Sequence, residues 1–289
     1  MIKALILDVD GVLVGSQEGV NFPDPHPQVI EALKQIRAKG VFISLCTGKP
    51  YFAIEKIIRD AYLNNIHITE GGAVITNPID QVVDKAYMLD SHLASQLIRA
   101  FLDNNVYTEF YNGDAYMIQR DRNDPSIAER HFKILQKEPT QVDSLEKAVL
   151  EFSTPKVMPI ARDETERAKI ESVFTPFSDK LSLKWAIHPT ALPLEFGIIT
   201  NKGISKHRAA IDISESLGVS LKNILGVGDT LMDWDFIEIC GYGAAMGNAS
   251  DELKNLVSTK SAEYSYIGPD VDENGILDIL RHFGLLGEG

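Results

Sequence analysis

The chain has 289 residues, with 28 basic and 41 acidic side chains and a formal charge of −13; 44% of it is hydrophobic and 24% charged. Those proportions belong to an ordinary globular protein and exclude a disordered, collagenous or disulfide-rich one, while the length predicts two domains, each able to bury its own core. The acidity speaks against a nucleic-acid or anionic-membrane partner, which would need a basic face, but it leaves room for a small anion met by a few lysines and a bound cation.

In chain order, Ile2–Leu7 is a short apolar run of the kind expected in a buried parallel strand, followed by a loop over 15–27. Val29, Ile30, Leu33, Ile36 and Arg37 recur at helical spacing until Gly40 stops the helix. A strand over 41–45, a helix over 51–62 and a strand over 66–69 follow, a rhythm that predicts βαβ units and a parallel sheet. From about residue 78 to 193 the pattern changes. Helices over 91–102 and 164–174 are interleaved with strands that pair locally, 107–111 with 116–119 through an Asn112–Gly113–Asp114 turn, and 183–187 with 194–199. This reads as an α+β domain whose sheet has one solvated face. The βα rhythm then returns, with a helix over 204–217, a strand over 224–227, a helix over 233–240, a strand over 242–246 and helices over 251–257 and 276–286. The simplest architecture is an α/β parallel-sheet domain built from residues 1–77 and 194–289, with residues 78–193 inserted and a substrate cleft between the two.

Targeting signals are nearly silent. Asp8 interrupts the first apolar run before it reaches a signal-peptide core of about 7–15 residues, and no stretch approaches the ~18 apolar residues of a membrane span. Cys46 and Cys240 sit in apolar surroundings and read as small buried hydrophobes. A cytoplasmic protein is expected, so the Asn248–Ala249–Ser250 sequon should carry no sugar.

Four segments can carry chemistry. Asp8–Val9–Asp10–Gly11 follows the first strand, where open α/β sheets bind ligands, and supplies a nucleophile or metal ligand beside a general acid or base; solvated strand-end aspartates are the plain alternative. Thr47–Gly48–Lys49–Pro50 combines a hydroxyl, free N–H groups and a helix start, the makings of an anion site, although such turns are common. Lys202 and Lys206 open the helix after the insert, where lysines are usually just solvated; a lysine there opposes the helix dipole, which slightly strengthens a functional reading for Lys206. Gly228–Asp229, with Asp233 four residues on, places two carboxylates at a later strand end, where clustered oxygen ligands favour Mg²⁺; solvated cap or turn aspartates are the plain alternative.

The order of these segments, acid pair, hydroxyl, lysine after an insertion and second acid pair, resembles that of the haloacid dehalogenase (HAD) superfamily, over essentially the whole chain. The Lys202–Lys206 neighbourhood and the position of the insertion are similar to Cof-type, class IIB phosphatases. The resemblance implies a Rossmann-like core with an α+β cap and a Mg²⁺-dependent phosphatase acting on a small phosphorylated metabolite such as a sugar phosphate. It implies that Asp8 is the nucleophile forming an aspartyl-phosphate and that Asp10 is the acid and then the base. Mg²⁺ would be held by the Asp8 carboxylate, the Asp10 carbonyl and Asp229, with Asp233 acting through water. Thr47, the Gly48 N–H and Lys206 would bind phosphoryl oxygens. Met232, Glu70 and Lys49 depart from the family pattern, where asparagine, asparagine and arginine are usual. Candidate cap residues for substrate selection include Tyr111, Tyr116, Arg120, Arg162, Lys184 and His188, although such residues on a small sheet are more often packing or solvated surface; His207 reads as a surface histidine. A phosphomutase or other phosphotransferase using the same intermediate, and a non-catalytic regulator, are the competing readings; a monomer or homodimer is expected.

Overall fold

The computed structural model describes residues 1–79 and 82–287. Its elements run β1 (Ala4–Leu7), α1 (Pro27–Ala38), β2 (Phe42–Leu45), α2 (Glu55–Asp60), β3 (His67–Thr69), β4 (Val74–Asn77) and β5 (Val82–Ala86). Next come α3 (Ser91–Asp103), β6 (Thr108–Tyr111), β7 (Tyr116–Gln119), α4 (Pro125–Leu135), β8 (Thr140–Val142), α5 (Leu145–Ala148), β9 (Val157–Ala161), α6 (Glu164–Phe174), β10 (Leu181–Ile187) and β11 (Glu195–Asn201). The chain closes with α7 (Lys206–Leu217), β12 (Ile224–Gly228), α8 (Trp234–Ile237), β13 (Tyr242–Ala245), α9 (Asp251–Val257), β14 (Ser265–Ile267) and α10 (Ile276–His282). No helix among the described residues is long and apolar enough to cross a membrane.

Two compact units result: Met1–Thr47 with Glu55–Asp84 and Ser205–Gly289, and Gly48–Ile54 with Lys85–Ile204. The first holds a five-stranded parallel sheet ordered β14-β13-β12-β1-β2. Every residue of β1 is buried, because helices cover a parallel sheet on both faces and the strand can then be apolar throughout. Pro27 starts α1, where its missing N–H costs nothing, and Gly40, at φ 82°, ends it. Two side chains satisfy backbone donors of β2: Asn65 Oδ1 accepts from Ile43 N–H at 3.3 Å and His67 Nδ1 from Leu45 N–H at 3.0 Å. Burial lowers the His67 pKa to about 4, so the ring is neutral; with Nδ1 accepting, its proton sits on Nε2, 3.0 Å from Leu63 O.

The second unit is built on a six-stranded sheet ordered β10-β11-β9-β6-β7-β8. One face is covered by α3 and α6, whose Leu97, Ile98, Phe101, Ile170 and Phe174 pack on Phe110, Val157 and Ile199. The other face is covered as well: Ile127, Ile134 and Leu135 of α4 pack with Tyr111, Ile118, Ile160 and Phe196. The expectation of one solvated face is therefore corrected, since α4 supplies a second apolar layer. Its N-terminal signals, Asp124 accepting from Ser126 N–H and Pro125 in the first turn, are local and clear.

The expected boundaries also move. Residues 194–204 were assigned to the parallel-sheet domain, but β11 lies between β10 and β9, pairing with β10 from Leu181↔Asn201 to Ile187↔Glu195. A strand hydrogen-bonded on both edges cannot leave its sheet, so the unit ends at Ile204. At its start the boundary falls at Lys85 instead of residue 78, and Gly48–Ile54 joins the second unit.

Candidate active site

The site is assembled at the C-terminal ends of β1, β2 and β12. Leu7 is in register with Val227 on one side and Leu45 on the other, so Asp8, Thr47 and Asp229 each emerge just beyond neighbouring strands. Asp8 N–H still donates to Val227 O at 3.0 Å, which anchors the start of the turn, and Gly11 at φ 75° reverses it. Thr47 is 2% exposed and held by its backbone, donating to Ile68 O at 3.0 Å and accepting from Gly71 N–H at 3.1 Å.

Lys206, the first residue of α7, is 3% exposed, and its ammonium lies 2.6 Å from Asp233 Oδ1 and 3.2 Å from Asp8 Oδ1. Desolvation disfavours its charge, but the two carboxylates outweigh that and hold its pKa well above the ordinary lysine value. The same carboxylates offset the unfavourable placement of a cation at a helix N-terminus.

Asp233 is fully buried and closes a short 3₁₀ turn over Leu231–Asp233 rather than an α-helical first turn. Its Oδ2 accepts from Asp229 N–H (3.1 Å), Thr230 N–H (2.9 Å) and the Thr230 hydroxyl (3.0 Å), while Oδ1 faces Lys206. Gly228 is required beneath this fold-back, since a Cβ there would stand 2.2 Å from the Asp233 Cβ.

Carboxylate oxygens of Asp8, Asp229 and Asp233 lie within 4.8 Å of one another. Burial, then Asp233, push the Asp8 carboxyl up to about 7 against the pull of Lys206; burial and the same neighbours raise Asp229 well above the carboxylate range. Asp229 Oδ1 is buried and has no hydrogen-bond partner among the described residues. Three crowded carboxylates with one buried, unsatisfied oxygen fit a hard divalent cation, which would relieve both the repulsion and the orphaned lone pairs.

The other expected residues are distributed differently. Asp10 is half-buried and raises Asp8 electrostatically, but its carboxylate is not in the three-membered cluster. Gly48 follows Thr47 directly in the chain and is counted with the second unit. Lys202 belongs to the second unit, donating to Ser178 O at 3.0 Å. Lys49 and Glu70 are buried, Glu70 at φ 54°, and Met232 is half-buried in the turn before Asp233. His207 is half-buried, with Nδ1 3.1 Å from Asp235 O. Cys46 and Cys240 are buried and unpaired.

In the second unit, Tyr111 and Tyr116 are buried, with their hydroxyls bonded to Glu109 (3.0 Å) and Lys137 O (2.9 Å). Arg120 pairs with Asp143, and Arg162 with Glu166 and Asp124. His188 is buried, its Nδ1 2.8 Å from the Thr190 hydroxyl, and Lys184 is half-buried on β10. Sequence reasoning missed the buried Glu109–His131 pair (3.1 Å) and Lys156, whose ammonium lies 4.0 Å from the centre of the Tyr111 ring and donates to Gly48 O at 2.8 Å. No local pattern marks these residues. Asn248 was read only as a sequon, although it follows a strand of the parallel sheet, the placement that singled out the aspartates.

A family model described as haloacid dehalogenase-like hydrolase matches residues 5–280. Phosphatase YwpJ of Bacillus subtilis (strain 168) is 24% identical over 297 aligned residues, covering 97% of this chain and 99% of the relative. A haloacid dehalogenase-like hydrolase from Bacteroides thetaiotaomicron superimposes with a TM-score of 0.83 at 18% identity, covering 97% of this chain and 99% of the other. The HAD subclass IIB sugar phosphatase BT4131 superimposes with a TM-score of 0.79 at 21% identity, covering 98% and 100%. Structural likeness at such identities speaks to the fold.

Proposed function

The chain belongs to the haloacid dehalogenase-like hydrolase family, among its Cof-type phosphatases, and from that premise we propose that it is a Mg²⁺-dependent phosphohydrolase of a small phosphate monoester that works through an aspartyl-phosphate. The observation that carries this reading is the buried Lys206 ammonium shared between Asp8 and Asp233, beside an Asp229 oxygen with no hydrogen-bond partner among the described residues. A solvated cluster of strand-end aspartates would have no use for a desolvated lysine. A non-catalytic fold would have no reason to keep three carboxylates in mutual repulsion.

In this mechanism Asp8 attacks phosphorus while the ester P–O bond breaks, and Asp10 donates a proton to the leaving oxygen. Asp10 then takes a proton from the water that hydrolyses the aspartyl-phosphate, returning Asp8 as a carboxylate. Lys206 favours the ionised form of Asp8, orients it and offers a positive charge to a phosphoryl oxygen; the Thr47 hydroxyl and the Gly48 N–H bind the remaining oxygens. The Asp8 carboxylate, the Asp10 backbone carbonyl and Asp229, with Asp233 acting through water, would hold Mg²⁺, which would supply the charge that lets a carboxylate meet a dianionic phosphate. Phosphate-monoester hydrolysis is among the slowest uncatalysed reactions, so this electrostatic contribution is the large one.

The first unit is the catalytic domain in this proposal and the second selects the substrate. A sugar phosphate or similar metabolite is the substrate class, supported by the sugar phosphatase among the structural neighbours. A cytoplasmic setting belongs to the same reading. The test is phosphate release from a panel of sugar phosphates, phosphoglycolate and an aryl phosphate, in Mg²⁺ or EDTA, with Asp8→Asn purified identically. Release that needs Mg²⁺ and vanishes in Asp8→Asn is expected; activity that survives either change overturns the mechanism.

A further inference from the structure

Asn248 has no part in the machinery above, yet it bridges two pieces of it. It lies in the loop after β13, and its Nδ2 donates to Gly11 O at 3.0 Å and to Asp229 Oδ2 at 3.4 Å. Its Oδ1 accepts from Val271 N–H at 2.9 Å. These three contacts fix which way the amide faces, because the flipped group would set its NH₂ against an N–H and its oxygen against two acceptors. The same loop holds the Asp229 main chain, Ser250 N–H donating to Asp229 O at 3.2 Å.

The consequence falls on the Asp229 carboxylate. One oxygen is tied to Asn248, and the other is the buried atom with no hydrogen-bond partner among the described residues. We propose that Asn248 is a positioning residue: it sets the rotation of the Asp229 carboxylate, couples it to the Gly11 turn that follows Asp8 and Asp10, and so sets the affinity of the centre for its divalent cation. This rests on the metal reading made under Proposed function. Groups that hydrogen-bond a metal-ligating side chain typically govern about 10–100-fold in metal affinity.

A role confined to holding loops together is separable, because another residue does that nearby. Asp272 accepts from Ser16 N–H (2.9 Å), the Ser16 hydroxyl (2.6 Å) and Asn21 Nδ2 (2.9 Å), bracing the 15–22 loop with no hydrogen bond to Asp229 among the described residues. The experiment is calorimetric titration of Mg²⁺, without substrate, into wild type, Asn248→Ala, Asn248→Ser and Asp272→Ala, each first shown to be folded by circular dichroism. The serine variant stands in if the alanine variant does not fold. The expected result is a Kd for Mg²⁺ raised about tenfold or more in the Asn248 variants and changed by less than about threefold in Asp272→Ala. A Kd within about threefold of wild type in the Asn248 variants, or an equal loss in Asp272→Ala, overturns the proposal while leaving the metal centre intact. Absence of Mg²⁺ binding to wild type would instead refute the metal reading itself.

Discussion

Replacing Lys206 by methionine isolates the ion pairs at the heart of the site, because methionine keeps most of the apolar stem. The ammonium is 2.6 Å from Asp233 Oδ1 and 3.2 Å from Asp8 Oδ1. At an effective dielectric of about 20, those separations correspond to attractions of about 6 and about 5 kcal/mol. Desolvation of a lysine that is 3% exposed offsets much of this, so the net loss should fall near the ~3–5 kcal/mol typical of removing one partner from a buried pair. At about 2–4 °C per kcal/mol for a chain of this order of size, the melting temperature should drop by on the order of 10 °C.

The loss should also depend on pH. Lys206 lowers the Asp8 carboxyl towards about 7, so without it that group titrates still higher and is neutral at pH 5.5. The missing attraction to Asp8 then matters only where Asp8 would be ionised, and the deficit must be larger at pH 8 than at pH 5.5. Urea unfolding of wild type and Lys206→Met in EDTA at both pH values measures it. A deficit below about 1 kcal/mol at pH 8, or one larger at pH 5.5, would refute the argument that the ammonium compensates buried charge.

Two further outcomes follow from the same geometry. Because the folded-state pKa of Asp8 is raised to about 7, its contribution to stability is fully present below about pH 4 and is lost as pH rises through about 7. His67, lowered to about 4, acts in the opposite sense up to about pH 6.5, so the contribution is best read as a difference between proteins. In EDTA, Asp8→Asn should gain about 2–3 kcal/mol relative to wild type between pH 5 and pH 8, and parallel urea-unfolding profiles would contradict the raised carboxyl. For Gly11→Ala, the added Cβ would stand 2.0 Å from Asp229 Oδ2 on a backbone at φ 75°. We expect about 1–2 kcal/mol of destabilisation from the left-handed conformation alone, together with weakened Mg²⁺ binding by calorimetry. Unchanged Mg²⁺ affinity would show that Asp229 can move aside freely.

Much of the first unit could be read along the chain, because its signals are local. A short apolar run ending abruptly in a carboxylate is what a strand buried on both faces looks like when it reaches a site. Asp8 after Leu7 and Asp229 after Gly228 both follow that form. Helical spacing with clear ends placed α6 and α9 at their observed limits, and the Asn112 turn placed the β6–β7 hairpin. What escaped were elements whose identity depends on distant neighbours. β9 carries Pro159 at its centre and looks like no strand in isolation; β11 on one side and β6 on the other make it one. The domain boundary failed for the same reason, since β11 could be paired with β10 by pattern but the third partner, β9, was not visible.

The chemistry divides in a similar way. Residue types and their order along the chain determined which groups this protein has for its work: acids at two strand ends, a hydroxyl and a lysine at the start of a helix. Only the tertiary structure decided how they are used. It turned both Asp233 oxygens to protein donors, left one Asp229 oxygen without any among the described residues, and brought Asn248, 237 positions from Gly11 in the chain, within hydrogen-bond distance of both Gly11 and Asp229. Backbone preference and burial are properties of a short stretch of chain and leave their mark on it. Which donor meets which acceptor is settled by packing between segments far apart in sequence, where no local pattern records it.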